Sequence, residues 1–110
     1  MQRGDIYYLR LPNKHGNIQA GTRPVIVIQN DTGNVFSPTT IVCSITSARK
    51  KCLPTHFAIL NIGGLRKHSI VLCEQMFTVN KSDLIQYIGT IEDKDNIEQL
   101  DKCIRLSIGI

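Results

Sequence analysis

Several common features are missing from this chain of 110 residues. It has no apolar stretch near the length of a transmembrane helix, and its first residues lead directly into a predicted strand, without the basic region and apolar core of a signal peptide. The four cysteines lie far apart, form no CxxC pair and have no histidine at zinc-site spacing. We therefore expect a cytoplasmic protein with reduced thiols, in which Cys43 and Cys73 are small core residues.

Acidic residues are also scarce in one half of the chain. Residues 1–56 contain seven Lys or Arg against two Asp, a net charge of +5, whereas residues 57–110 have a net charge of −1. Residues 1–60 hold no acidic cluster that would bind a divalent metal ion. The basic half predicts a polyanionic partner, although a positive surface that only aids solubility is the alternative. Length and ordinary composition predict one domain over residues 1–110.

Short apolar runs separated by Gly, Pro and Asn predict a mainly β (α+β) fold. The predicted strands are residues 3–11, 24–29, 39–46, 55–60, 69–79 and 87–91. Turns are predicted at residues 30–34 and 63–64, and a short helix at residues 83–86. An amphipathic C-terminal helix is predicted after Asp93, with an apolar face of Ile97, Leu100, Ile104 and Ile108. Many short strands with few helices favour a small curled barrel.

The segment of residues 21–31 has the most specific pattern in the chain. Pro24 fixes its own φ and biases Arg23 toward an extended conformation. The apolar run 25–28 predicts a strand that is buried on both faces. A guanidinium is thereby held at a rigid strand entrance, and its planar fork of donors suits a phosphate. The alternative is a surface arginine at the end of a strand.

Several blocks together resemble the MazF/PemK-type toxin endoribonucleases, in order and at compatible spacing over nearly the whole chain. The blocks are residues 3–8, 21–31, 36–39, 45–46, 53–56 and 69–75. The similarity is greatest to the Gram-positive MazF branch. It implies a small SH3-like barrel with appended helices, a homodimer, and the toxin half of a type II toxin–antitoxin pair.

The resemblance also assigns catalytic roles to this chain. Arg23 would stabilise the charge that develops at phosphorus, and Thr46 would help to hold the scissile phosphate. His56 is a possible acid or base, because histidine titrates near pH ~6.5; the alternative is a histidine that packs or only contacts substrate. Many relatives have a Glu, proposed as the general base, where this chain has Ile18. Ile18 cannot transfer a proton.

The remaining candidates would bind RNA. They are Asn17, Gln19, Arg49, Lys50, Lys51, Leu53, Pro54, Thr55 and Gln75. Ordinary loop polarity explains the basic run and the two amides equally well. The aromatic side chains of Tyr7, Tyr8, Phe36 and Phe77 could stack on bases if exposed, although aromatic residues in strands more often belong to the core.

The implied reaction is sequence-specific, metal-independent cleavage of single-stranded RNA, chiefly messenger RNA. The RNA's own 2′-OH attacks the adjacent phosphorus and leaves 2′,3′-cyclic phosphate and 5′-OH ends. No cofactor is implied, and the expected protein partner is an acidic, disordered MazE-like antitoxin. Two alternatives stay open: a CcdB-like toxin that inhibits gyrase on the same fold, and a non-catalytic RNA-binding barrel. Arg23 and Thr46 count against the first, because a gyrase inhibitor does not need them.

Overall fold

The computed structural model of the protein describes residues 1–11, 21–47, 52–65 and 68–110. Within these residues, six strands form one antiparallel sheet in the order β4-β5-β3-β2-β1-β6. The elements in chain order are β1 (Asp5–Arg10), β2 (Thr22–Val27), α1 (Asp31–Phe36), β3 (Thr39–Thr46), β4 (His56–Ile59), β5 (Ser69–Asn80), a 3₁₀ turn (Lys81–Asp83), β6 (Leu84–Thr90) and α2 (Lys94–Ile108). The predicted mainly β fold with a C-terminal helix is confirmed. The SH3-like barrel and the single domain stay predictions.

The sheet is covered by apolar side chains on both faces. Neighbouring residues of β2 belong to different clusters: Ile26 lies in the larger cluster, and Val25 and Val27 lie in the smaller one. Because side chains alternate along a strand, the two clusters occupy opposite faces of the sheet. Residues 25–28 are all buried, which confirms the strand predicted there.

Helix α2 packs against the larger cluster through one stripe of its surface. Leu100 and Cys103 are buried in this stripe, and Ile97 and Ile104 pack beside them. Ile108, which was predicted to belong to the same face, is the last residue of the helix and is instead 51% exposed. The predicted cap residue Asp93 occupies the N-cap position, where its carboxylate accepts a hydrogen bond from the Asn96 side chain at 3.1 Å.

The predicted Gly63–Gly64 turn is confirmed and joins two distant parts of the sheet. It follows the edge strand β4, yet it lies against β6 at the opposite edge. A Cβ at Gly64, where φ is +82°, would stand 2.2 Å from the Ile88 carbonyl oxygen, and a Cβ at Gly89 would stand 2.1 Å from the Gly63 oxygen. Only glycine allows the two backbones to approach so closely.

Residues 30–34 were predicted to be a turn, and this prediction is wrong, because α1 begins at Asp31. The side chain of Asn30 caps the helix by accepting a hydrogen bond from the Gly33 N–H at 2.8 Å. The buried Asn34 side chain donates to the Gln29 carbonyl at 2.9 Å and accepts from the Thr40 hydroxyl at 2.7 Å. These side-chain hydrogen bonds to residues just outside the helix stabilise a helix that local propensity disfavours.

The short helix predicted over residues 83–86 is also wrong. The helical turn is of the 3₁₀ type and ends at Asp83, and β6 begins at Leu84. Leu84 and Gln86 lie opposite Leu9 and Tyr8 of β1. Backbone pairing with β1 therefore overrides the local helical pattern.

Candidate functional site

Arg23 and Thr46 lie near the ends of two neighbouring strands. Val25 on β2 is opposite Ser44 on β3, and continuing this register places Arg23 opposite Thr46. Both residues line two adjoining cavities that also share Ile45. We refer to the first, of about 650 Å³, as the Tyr8 cavity, and to the second, of about 460 Å³, as the His56 cavity. Together they form one groove with Arg23 and Thr46 at its middle.

The His56 cavity contains most of the predicted site residues that the structure describes. Its lining residues are Arg23, Ser44, Ile45, Thr46, Leu53, His56, Ile70, Leu72, Glu74 and Gln75. His56 lies opposite Leu72 across β4 and β5, and Leu72 lies opposite Ser44 across β5 and β3. The sheet thus brings together on one face residues that are far apart in the sequence.

An irregularity in β5 presents Glu74 and Gln75 to this cavity. Cys43 lies opposite Met76, whereas the next residue of β3, Ser44, lies opposite Leu72. Residues 73–75 are therefore not paired with any residue of β3, and this part of β5 departs from regular strand pairing. Glu74 and Gln75 are both exposed to solvent at this point.

His56 is held at both ring nitrogens. The Leu53 N–H donates to Nδ1 at 3.0 Å, and Nε2 lies 3.1 Å from the Glu74 carboxylate. A nitrogen that accepts from a backbone N–H carries no proton, so the proton is on Nε2, which donates to Glu74. In this neutral tautomer His56 has no nitrogen ready to accept a proton. The arrangement favours a positioning or binding role over that of a general base.

Glu74 is the centre of this small network. Its second carboxylate oxygen accepts a hydrogen bond from the Thr55 hydroxyl at 3.1 Å. Partial burial acts to raise the pKa of Glu74, but hydrogen bonds from its own backbone, His56 and Thr55 outweigh it and hold the pKa below the ordinary value. Glu74 is therefore a carboxylate at neutral pH, and it fixes the tautomer of His56.

Helix α2 supports the site from behind through a buried thiol. Cys103 donates from Sγ to the His56 carbonyl at 3.3 Å. Cys43 and Cys73 are fully buried and unoxidised, which confirms their predicted place in the core. A hydrogen bond with Cys43 and burial raise the pKa of Cys73, and burial raises that of Cys103. The raised pKa values keep the thiols of Cys73 and Cys103 protonated, so these two residues pack in the core and are not nucleophiles.

The other predicted site residues fall into two groups. Pro54 and Thr55 lie in the described turn that precedes β4, where Thr55 contacts Glu74 and Pro54 is exposed. Asn17, Gln19, Arg49, Lys50 and Lys51, together with Ile18, lie outside the described residues. Sequence reasoning missed Glu74 as a partner of His56, for which the only signal was the neighbouring Gln75. Tyr8 was named as one of four aromatic residues that could stack on bases, and the structure places it in the wall of the Tyr8 cavity.

Two classes of feature are not found in the part of the chain that the structure describes. No group of three or more His, Cys, Asp or Glu residues there could hold a metal ion. None of its helices is long and apolar enough to cross a membrane.

A comparison with known families identifies the class of protein to which this chain belongs. Residues 2–108 match the family model described as PemK-like, MazF-like toxin of type II toxin–antitoxin system. The chain belongs to this family, and the resemblance read from the sequence is confirmed.

Two curated relatives of this chain are named as endoribonucleases. The chain is 39% identical over 112 aligned positions to Endoribonuclease EndoA of Bacillus subtilis (strain 168), covering 100% of this chain and 96% of that protein. It is 40% identical over 112 aligned positions to Endoribonuclease MazF of Staphylococcus saprophyticus, covering 100% and 92%.

Solved structures confirm the fold. A mycobacterial endoribonuclease in complex with its cognate antitoxin superposes with a TM-score of 0.82 at 18% identity, covering 100% of this chain and 96% of that one. A MazE–MazF structure from Deinococcus radiodurans gives a TM-score of 0.82 at 19% identity, with the same coverage.

Proposed function

We propose that this chain is the toxin of a type II toxin–antitoxin pair and acts in the cytoplasm as an endoribonuclease. Its substrate is single-stranded RNA, chiefly messenger RNA, which it cuts selectively and without a metal ion. The observation that carries the proposal is the groove with Arg23 and Thr46 at its middle. The names of the curated relatives, Endoribonuclease EndoA and Endoribonuclease MazF, support the activity.

In the proposed reaction the ribose 2′-oxygen forms a bond to the adjacent phosphorus while the bond from phosphorus to the 5′-oxygen breaks. The 2′-OH loses its proton, the departing 5′-oxygen gains one, and the products are a 2′,3′-cyclic phosphate and a 5′-OH. Because the nucleophile is already within the substrate, its effective molarity is on the order of 10⁵ M or more. The protein's task is to position the phosphate and stabilise the added negative charge.

Arg23 and Thr46 suit this task. The guanidinium of Arg23 is a planar cation that presents parallel donors, so we assign it charge stabilisation. Thr46 offers a hydroxyl at the same point of the groove. His56 has both ring nitrogens engaged, so it orients or contacts the substrate, with Glu74 holding its ring.

The proposed protein partner is an acidic antitoxin whose extended segment occupies the same groove. The solved relatives titled as MazE–MazF and antitoxin complexes support this partner. Residues 1–56 carry a net charge of +5, which would attract an acidic chain as well as RNA. We also propose a homodimer, in which the RNA groove involves both subunits.

The test is a cleavage assay on single-stranded RNA in excess EDTA. We expect cleavage with 5′-OH ends, detected by end-labelling with and without prior phosphatase treatment. Activity that appears only on adding Mg²⁺ would refute the mechanism. Binding without cleavage would indicate the non-catalytic RNA-binding alternative, and inhibition of gyrase with no effect on RNA would indicate the CcdB-like alternative.

A further inference from the structure

The residues that line only the Tyr8 cavity have no part in the function proposed above. It adjoins the His56 cavity through Arg23, Ile45 and Thr46, so it continues the groove on the other side of the proposed phosphate position. Its remaining lining residues are Tyr8, Pro24, Ser47, Gly64, Leu65 and Ser69. A phosphate in an RNA strand has a nucleotide on each side. The groove likewise has one cavity on each side of Arg23 and Thr46.

The chemistry of the two cavities differs. The His56 cavity contains the Glu74 carboxylate, whereas Arg23 is the charged side chain among the described residues that line the Tyr8 cavity. The Tyr8 cavity has an aromatic ring, the apolar side chains of Pro24 and Leu65, and serine hydroxyls beside them. An uncharged planar group with polar edges fits this combination, because its face can stack on the ring while its edge meets the hydroxyls.

The walls of the Tyr8 cavity are built into the sheet. Tyr8 lies in the middle of β1, where it is opposite Pro24 of β2 and Gln86 of β6, and it is half-buried. Gly64 is held against β6 by the close backbone approach described above. The volume of about 650 Å³ lies within the range of preformed small-molecule sites, roughly 300–1,000 Å³.

We infer that the Tyr8 cavity binds the base of the nucleotide next to the scissile phosphate, on the side away from the His56 cavity, by stacking on the Tyr8 ring. The inference rests on the proposed function and adds a second subsite to it. The two cavities then contribute separately to the selectivity of cleavage.

The experiment compares wild-type protein with Tyr8→Leu on three RNAs cut at a mapped position. One RNA is intact, and the other two carry an RNA abasic residue, which keeps the 2′-OH, immediately 5′ or immediately 3′ of the cut. Loss of stacking on the intact RNA should lower kcat/KM between about fivefold and 150-fold. When the abasic residue replaces the nucleotide whose base stacks on Tyr8, wild-type protein and Tyr8→Leu should cleave equally slowly. When it replaces the other nucleotide, wild-type protein should still cleave faster than Tyr8→Leu.

Further variants separate stacking from structural effects. Tyr8→Phe keeps the ring and should cleave the intact RNA within about threefold of wild type. Leu65→Ala alters another wall of the same cavity, and the cleavage rate that it loses should depend on the presence of the same base. This variant is the test if Tyr8→Leu does not fold. Tyr87→Leu is a matched control, because Tyr87 is 54% exposed on β6 and lines neither cavity.

The outcomes are distinct. A wild-type protein that cleaves none of the RNAs would refute the proposed function. A protein that cleaves, but whose Tyr8→Leu and Leu65→Ala variants change the rate equally on all three RNAs or not at all, would refute only the base subsite. If Tyr8→Leu weakened binding of an acidic antitoxin peptide and left RNA cleavage unchanged, the cavity would belong to the antitoxin and the inference would be overturned.

Discussion

Replacement of Arg23 by alanine is the most direct test of the site. Removing one donor that stabilises developing charge typically lowers turnover by about 10²–10³, and we expect a loss of that size. Arg23 is exposed at the entrance of β2, and its backbone is paired with Leu9. Its side chain fills no buried space, so the free energy of unfolding should change by less than about 0.5 kcal/mol.

The assay is single-turnover cleavage of a fluorophore–quencher RNA in EDTA, with excess protein. Binding is measured separately on the same RNA with a 2′-deoxy nucleotide at the cut, which cannot react. We expect Arg23→Ala to bind this RNA nearly as well as wild type, because most of its contribution arises only in the transition state. Arg23→Lys should recover little of the rate, because an ammonium lacks the planar fork of donors.

Arg10→Ala is the matched control. Arg10 is an exposed arginine at the end of β1, opposite Thr22, and it lines neither cavity of the groove. Both variants lose one positive charge, so general attraction for RNA falls equally in the two. A normal rate for Arg23→Ala, or an equal loss in both variants, would refute the assigned role of Arg23.

Three further predictions concern the supporting structure and the biology. Glu74→Gln should lower the melting temperature slightly at pH 6. The free energy of unfolding should fall by no more than about 1 kcal/mol, because Glu74 is 37% exposed. Since the folded pKa of Glu74 is lowered, its contribution is present above about pH 4.3 and is lost as pH falls through the lower folded value. The difference between wild type and Glu74→Gln in thermal melts should therefore shrink below pH 4, and a difference that grew in acid would contradict the network. Gly64→Ala should destabilise the fold by more than about 1 kcal/mol, because it combines a positive φ with a backbone clash; Gly21→Ala, with nothing within 4 Å of its Cβ, is the control and should melt like wild type. Expression of the chain alone should arrest bacterial growth, and both Arg23→Ala and co-expression of the antitoxin should relieve the arrest; harmless expression of folded, active protein would contradict the toxin role.

The sequence alone predicted the structural features that depend on residues close together along the chain. Pro24 and the β-branched run after it determine an extended, buried strand with Arg23 at its entrance, and β3 has the predicted bounds, Thr39–Thr46. The apolar surroundings of Cys43 and Cys73 likewise predicted their burial. The family was evident from blocks of residues that keep their order and spacing.

Tertiary structure decided the features that depend on contacts between distant residues. Helix α1 forms where the sequence favours a turn, and its first residue, Asp31, accepts a hydrogen bond from the N–H of Arg3 at 2.7 Å, 28 residues earlier in the chain. The strand predicted at residues 87–91 begins earlier, at Leu84, where a helix was predicted, because β1 supplies the hydrogen-bonding partner of β6.

The candidate site combines features that the sequence predicted with features that only tertiary contacts determine. Arg23, Thr46 and His56 could be selected from the sequence, and the resemblance implied roles for Arg23 and Thr46, but the role of His56 stayed open between an acid or base and a contact residue. The irregular pairing of β5 with β3 places Glu74 beside His56, and that contact sets which nitrogen carries the proton. Alternation along β1 predicts that Tyr7 and Tyr8 point to opposite faces, but not which of them lines the groove. Hydrogen bonds and cavities between strands are set by register, and register is a property of the whole sheet.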